Sequence, residues 1–303
     1  MSNKAFVIAD VFTDRQFGGN QLAVFTDGSG LDTSTMQNIA REMNYSETTF
    51  LFPREKGGDY HVRIFTPAYE LPFAGHPIVG TAFVIAAMGL KPLKSPSTEL
   101  KLETGVGEIN VEVACVDGKP GHTRMSQPLP EVRGSFEDAA RLARALGLER
   151  SSIVSTLPVE AIYNGLQVMI VPVDSLASVE RLQFDPVALK EISREAGAET
   201  ILIFSRETVE AASTVHCRVT APAAGVYEDA ATGSANGPLG FYLVRHGLVE
   251  LKSTTTIVSE QGYEMKRPSR LQIEIDVDLK NKKVNAVRVG GGVVISGRGE
   301  ILL

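Results

Sequence analysis

The sequence has no tryptophan, two cysteines and five histidines, and each scarcity narrows the chemistry open to it. Cys115 and Cys217 both sit in strand-like runs with neither metal-ligand nor redox spacing, so a reduced, cytoplasmic compartment is the default expectation. His61, His122, His216 and His246 do not fall among carboxylates at metal spacing, and no metal is expected. Positive charge is in the minority. Thirty Lys and Arg face 36 Asp and Glu for a net −6, and no basic cluster stands out, which argues against nucleic acid or a polybasic membrane contact as partner. Long apolar runs are missing too, since the longest, Ala82 to Leu90, falls far short of a membrane span. The opening MSNKAFVIADVF enters a strand-like segment without the charged and apolar regions of a secretory signal. No P-loop and no Gly-x-Ser-x-Gly occurs. Gly290-Gly291-Gly292 has no helix after it, which makes it a strand kink or close-packing site rather than a dinucleotide loop, and no cofactor is expected.

What the sequence does contain is a repeat. At 303 residues and 43% hydrophobic content it has material for about two cores. His61-x-Arg63 with Pro67 returns as His216-x-Arg218 with Pro222, an offset of 155 (216 − 61). After a three-residue slip, Glu70, Gly75, Gly89 and Leu90 match Glu228, Gly233, Gly247 and Leu248 at 158 (233 − 75). That period is too long for a solenoid and points to a duplicated domain with two equivalent helices, at about Pro77–Met88 and Ala235–His246, each with a glycine-rich start. The expectation is that both starts face one cleft.

Between these landmarks, Phe6–Phe12 and Gln21–Phe25 read as strands around a Gly18-Gly19-Asn20 turn. Leu31–Asn44 reads as a helix, with Ser34 and Gln37 at capping-box spacing, a Met36, Ile39, Ala40, Met43 stripe, and Asn44 suited to the left-handed exit. Val116–His122 reads as a linker and domain boundary. Phe136–Leu146 reads as a helix capped by Ser135. Strands outnumber helices, many look hairpin-connected, and each half has one helix too apolar for an open surface. The pattern predicts an α+β architecture in which a curled sheet, with many hairpin connections, encloses a helix in each half.

Glu47 follows a helix end and precedes an apolar strand, where a partly desolvated carboxylate is suited to proton transfer; by position alone the plainer reading, a solvated loop acid, is favoured. Gly75-His76 and Gly233-Ser234 open the two central helices, where unbonded N–H groups and the positive dipole end favour a carboxylate or a developing oxyanion; ordinary capping would explain either one singly. His76 is a proton-donor candidate near neutral pH, or only a hydrogen-bonding group. Glu228-Asp229 precedes the second helix and could stabilise its start, while Asp229 could instead hold a substrate amine or orient His76.

Assembled, these stretches resemble the PhzF family of phenazine-biosynthesis-like proteins, relatives of diaminopimelate epimerase. The resemblance runs almost end to end: VFTDRQFGGN at Val11–Asn20, Asn44-Tyr45-Ser46-Glu47-Thr48, RIFTPAYELPFAGHP, then EDAATGSANGPLG, EQGYEMKRPSRL and VRVGGGVVISG. It implies two similar epimerase-like domains, residues 1–118 with 286–303, and 123–285, each a barrel-like, mostly antiparallel sheet wrapped around a central helix, with the active site in the cleft between them. It implies a homodimer and a cofactor-independent isomerase that moves a proton on a small amino- or hydroxy-carboxylic acid. The family's characterised activity is isomerisation of trans-2,3-dihydro-3-hydroxyanthranilate. By motif, Glu47 is the acid/base taking the proton from the carbon bearing the amine, and His76 and Asp229 assist proton handling and amine binding. Gly75, Gly233 and Ser234 meet the substrate carboxylate, with Ser46 and Asn20 in support. Gln21, Ala230 and Lys266 depart from the family pattern, which has proline, proline and glycine at those places. A two-thiol racemase is disfavoured because neither central helix start holds a cysteine. The alternative is a non-catalytic carboxylate-binding or scaffold protein on the same fold.

Overall fold

The computed structural model describes residues 3–303. Met1 and Ser2, where the stretch read for a secretory signal begins, lie outside the described residues. The chain divides into two compact units: the first runs to Ser126 and takes in Gly290–Leu303, and the second is Gln127–Val289.

In the first unit β1 (Asn3–Val11) pairs antiparallel with β2 (Asn20–Phe25), and α1 (Thr33–Met43) crosses to β3 (Glu47–Pro53). β3 lies parallel to β2, the pairing a helical crossover produces. β4 (Tyr60–Phe65) and the short β5 (Glu70–Leu71) follow antiparallel. α2 (Gly75–Ala87) then leads to β6 (Ser97–Thr104), parallel to β4, and to β7 (Gly107–Val116) and β8 (Lys119–Gln127) in an antiparallel meander.

The second unit begins with β9 (Glu131–Ser135), α3 (Ala139–Ala145), β10 (Glu160–Tyr163) and β11 (Gln167–Pro172). α4 (Leu176–Glu180) and α5 (Pro186–Ala196) cross to β12 (Thr200–Ser205), which is parallel to β11. β13 (Val215–Ala221) and β14 (Val226–Asp229) follow antiparallel, then α6 (Gly233–Arg245), β15 (Thr254–Gln261) parallel to β13, β16 (Ser269–Asp278) and β17 (Lys283–Gly291). Finally β18 (Val293–Leu302) lies antiparallel along β1 in the first unit.

The order β2–α1–β3–β4–β5–α2–β6–β7 therefore recurs, with the same parallel and antiparallel pairings, as β11–α4/α5–β12–β13–β14–α6–β15–β16. The repeated residues have repeated partners. Arg63 Nε and a terminal nitrogen donate to the two Glu70 oxygens at 2.7 and 2.6 Å, and Arg218 does the same to Glu228 at 2.7 and 2.8 Å. A planar guanidinium matches a carboxylate in this two-pronged way, and the pair pins each short strand to its neighbour.

The core explains the central helices. Every residue of α2 from Gly75 to Ala86 is buried, and the helix packs on β1, β2, β3, β6 and β7. It has no polar face because it has no wet side. α6 is buried from Gly233 to Gly240 and packs on β11, β12 and β16. A second layer in the first unit sets Met36, Ile39 and Ala40 of α1 against Phe25, Phe50 and Phe65, with Phe25 and Phe50 stacked at 4.8 Å. Among the described residues, no helix is long and apolar enough to cross a membrane.

Four local readings change. The 116–122 stretch is no linker: Asp117 (φ 51°) and Gly118 (φ 73°) are both left-handed, the two-residue turn that joins β7 to β8 as a hairpin. Asp32, not Ser34, caps α1, accepting from Thr35 N at 2.7 Å, and Gln37 instead donates to Thr66 O. Asp138 caps α3, because Ser135 is still in strand β9. Both central helices begin two residues earlier than their apolar stretches suggest, at the glycines themselves. The Gly290–Gly292 run is a close-packing site, since a Cβ at Gly290 would lie 2.4 Å from Thr123 O.

Candidate active site

Three neighbouring chain segments of the first unit bring their ends together. Asn44 (φ 52°) ends α1, the chain turns through Tyr45 and exposed Ser46, and Glu47 opens β3 beside Leu22 of β2. Asn20 is the first residue of β2, and Gly75-His76 is the first turn of α2. His76 Nε2 stands 3.3 Å from Glu47 Oε2, and His76 Nδ1 stands 3.2 Å from Asn20 Nδ2. The His76 side chain is 5% exposed and that of Glu47 15%, so Glu47 is the less deeply buried of the two.

Burial pushes the His76 pKa down to about 3, with a smaller opposing contribution from the Gln21 backbone. The imidazole is thus neutral at physiological pH and faces Glu47 as a neutral ring, not as the cation of an ion pair. Asn20 Nδ2 meets His76 Nδ1, and a Gln21 backbone group also bonds the ring, so the donor and acceptor roles at the imidazole follow its tautomer. His76, expected either as a proton donor near neutral pH or only as a hydrogen-bonding group, is a neutral imidazole beside Glu47. Ala74, the residue before α2, cannot cap it with a side chain, so Gly75 and His76 begin the helix with no side-chain acceptor from the cap position.

The second unit holds the other candidates. Asp229 ends β14, Thr232 precedes α6 without capping it, and Gly233 and Ser234 form the buried first positions of the helix. Asp229 Oδ2 accepts from Thr232 Oγ1 at 2.6 Å. Gln261, fully buried in β15, ties the turn from behind: its amide nitrogen reaches Asp229 O at 2.8 Å and Thr232 Oγ1 at 3.1 Å, and its oxygen accepts from Thr232 N at 3.2 Å. Glu228, read as a possible helix stabiliser, is instead bound to Arg218. Gln261 escaped the sequence reading because it lies 32 residues from Asp229 (261 − 229); its only signal was its place in the EQGYEMKRPSRL stretch. Among the described residues, no group of three or more His, Cys, Asp or Glu side chains is placed to hold a metal ion.

The phenazine biosynthesis-like protein (PhzC-PhzF) family model matches residues 9–299. The chain is 38% identical over 298 residues to trans-2,3-dihydro-3-hydroxyanthranilate isomerase of Pseudomonas fluorescens, covering 98% of this chain and 99% of that one. The crystal structure of a PhzF-family phenazine biosynthesis protein of Bacillus anthracis superposes with a TM-score of 0.89 at 28% identity, covering all of both chains. A probable proline racemase of Agrobacterium radiobacter, at 13% identity and a TM-score of 0.69, covers 99% of this chain and 93% of its own and shares the fold alone. With matches that span nearly every residue, the chain belongs to the phenazine biosynthesis-like, PhzC-PhzF family.

Proposed function

We propose that the protein is a cofactor-independent isomerase that moves a proton on a small cyclic amino- or hydroxy-carboxylic acid of the trans-2,3-dihydro-3-hydroxyanthranilate type. The observation that carries this reading is Glu47: a carboxylate 15% exposed, facing a neutral imidazole at 3.3 Å. A carboxylate held beside a reacting carbon can take a proton from it and return one as the carboxylic acid. The residue roles follow the family resemblance: Glu47 and His76 handle the proton, and Asp229, Gly233 and Ser234 bind substrate groups.

In the reaction Glu47 removes a proton from a saturated ring carbon. The C–H electron pair enters the π system conjugated with the substrate carboxylate, and the same Glu47, now a carboxylic acid, returns a proton to another ring carbon. Nothing is oxidised, reduced or lost. The charge that builds on the substrate carboxylate is shared by the N–H groups of Gly75, Gly233 and Ser234, each well-aimed donor contributing about 2.7–4 kcal/mol. His76 stays neutral throughout and steadies Glu47 in both protonation states, while Asp229 takes the substrate amine.

The test is isomerisation of trans-2,3-dihydro-3-hydroxyanthranilate in deuterated water, read by mass spectrometry and NMR. The wild-type protein forms product carrying solvent deuterium at carbon. Glu47→Gln forms none yet binds 3-hydroxyanthranilate, the aromatic analogue. Turnover by Glu47→Gln refutes the assignment of the base. A wild-type protein that binds the analogue without ever exchanging a carbon-bound hydrogen is a binding protein and not an isomerase.

A further inference from the structure

The Ser234–Leu239 stretch, SANGPL, holds an anomaly that the catalytic reading does not use. Pro238 lies inside α6, and a proline has no N–H, so the carbonyl four residues earlier, on Ser234, lacks the helical donor it would otherwise receive. Buried carbonyls are rarely left without a donor. Asn164, 3% exposed and 70 residues away, supplies one: its Nδ2 reaches Ser234 O at 3.2 Å. The same nitrogen donates to Gln127 Oε1 at 2.8 Å, and Gln127 Nε2 donates to Gly233 O at 2.9 Å. One residue earlier, Asn236 Nδ2 donates to Thr232 O at 2.9 Å. Gly237 gives this amide chain room to pass over the helix, because a Cβ there would stand 1.9 Å from Gln127 Oε1.

Three consecutive carbonyls at the start of α6 thus each receive a side-chain amide. A peptide unit is planar, so fixing the carbonyl of Thr232 fixes the N–H of Gly233, and fixing the carbonyl of Gly233 fixes the N–H of Ser234. A hydrogen bond on the carbonyl also polarises the N–H at the other end of the same unit. These are the N–H groups to which the proposed function gives the substrate carboxylate. We infer that Gln127 and Asn164, with Asn236, form an amide clasp that aims and polarises the Gly233 and Ser234 N–H groups, making Gln127 and Asn164 positioning residues for carboxylate recognition. The inference rests on the isomerase reading for its ligand, though not for its geometry.

Two measurements on the full chain test it. Calorimetry compares 3-hydroxyanthranilate with 2-aminophenol, the same ring without the carboxylate. Gln127→Met weakens binding of 3-hydroxyanthranilate tenfold or more and changes 2-aminophenol less than twofold. In the ligand-free protein the Ser234 amide proton resonance moves upfield. Gln127→Glu and Asn164→Asp keep the shape while removing a donor, and they give the same result should the methionine variant fold poorly. Equal loss for both ligands, no loss for either, or an unmoved Ser234 resonance overturns the clasp. A wild-type protein that ignores 3-hydroxyanthranilate refutes the substrate reading instead, and the clasp then stands or falls on the Ser234 resonance.

Discussion

His216 gives a stability prediction with a control built into the molecule. Its ring is fully buried, with Nδ1 2.8 Å from Glu260 Oε1 and Nε2 2.8 Å from Glu264 Oε1. Burial opposes a charge on the ring, but hydrogen bonds and attraction from the two carboxylates outweigh it and hold the pKa at about 9, above the ordinary 6.5. The folded protein therefore keeps a proton that the unfolded chain releases. The resulting stability is fully present below about pH 6.5 and is lost as pH rises through about 9. Across that interval, at about 1.4 kcal/mol per pH unit, the loss comes to about 3 kcal/mol. The repeat supplies the control. His61 occupies the corresponding place and contacts Glu55 at 2.8 Å, but Glu55 is 63% exposed, which limits that pair to about 1 kcal/mol or less. Urea denaturation of the wild type, His216→Gln and His61→Gln between pH 6 and 9 checks this. Wild type and His61→Gln lose about 3 kcal/mol more than His216→Gln over the range. If wild type and His216→Gln fall with the same slope, the charged histidine is not what the carboxylates hold.

Three further outcomes follow from single contacts. Lys266 is left-handed (φ 58°) at the place where the family pattern has glycine, so Lys266→Gly relieves backbone strain and raises stability by a net ~0.5–1 kcal/mol in thermal melts; a loss of stability refutes the strain. Arg218→Met strands Glu228 in a site about 9% exposed and costs about 3–5 kcal/mol, whereas Arg63→Met, beside a Glu70 that is 36% exposed, costs about 1 kcal/mol; equal costs refute the burial argument. Asn20→Leu removes the amide beside His76 Nδ1 and lowers kcat by up to about 100-fold with KM nearly unchanged, and nitrogen NMR shows the ring's tautomer balance shifted from wild type; an unshifted balance counts against Asn20 as its orienter.

How far such features can be read from sequence depends on how far apart the interacting residues are. The stripe of Met36, Ile39 and Ala40 and the left-handed Asn44 are local, and both stand as read. The Asp117-Gly118 turn is local as well, but the following Lys119-Pro120-Gly121 looks like loop composition until β8 is seen pairing with β7. Asp32 caps α1 because its backbone is extended there, which spacing cannot distinguish from the equally polar Ser34. The partners of Asp229 and Ser234 are out of reach for any local pattern: Gln261, Gln127 and Asn164 lie on other strands or loops, and each is an ordinary polar residue in sequence. The protonation state of His76 is least legible of all, since it follows from burial that the whole unit creates.

The duplication also bears on the proposal that a single carboxylate moves the proton. Phe50 lies opposite Arg63 and Ile203 opposite Arg218, so counting back three residues along each strand pairs Glu47 with Thr200. Phe25 pairs with Phe50 and Val171 with Ile203, which places Leu166 where the first unit has Asn20. The helix starts equate His76 with Ser234 (both second in their helices). The first unit's trio of Asn20, Glu47 and His76 is thus replaced in the second by Leu166, Thr200 and Ser234, none of which ionises near neutral pH. A symmetric two-base enzyme needs a base from each half, so that one removes a proton on one face and the other delivers on the opposite face. Under the proposed function the second unit's counterparts of Glu47 and His76 supply no base and Asp229 is given to the amine, so removal and return fall to Glu47 and hence to the same face of the substrate. In that proposal the α6 start contributes N–H donors and no base, which suits a proton shift along one face better than an inversion at one carbon.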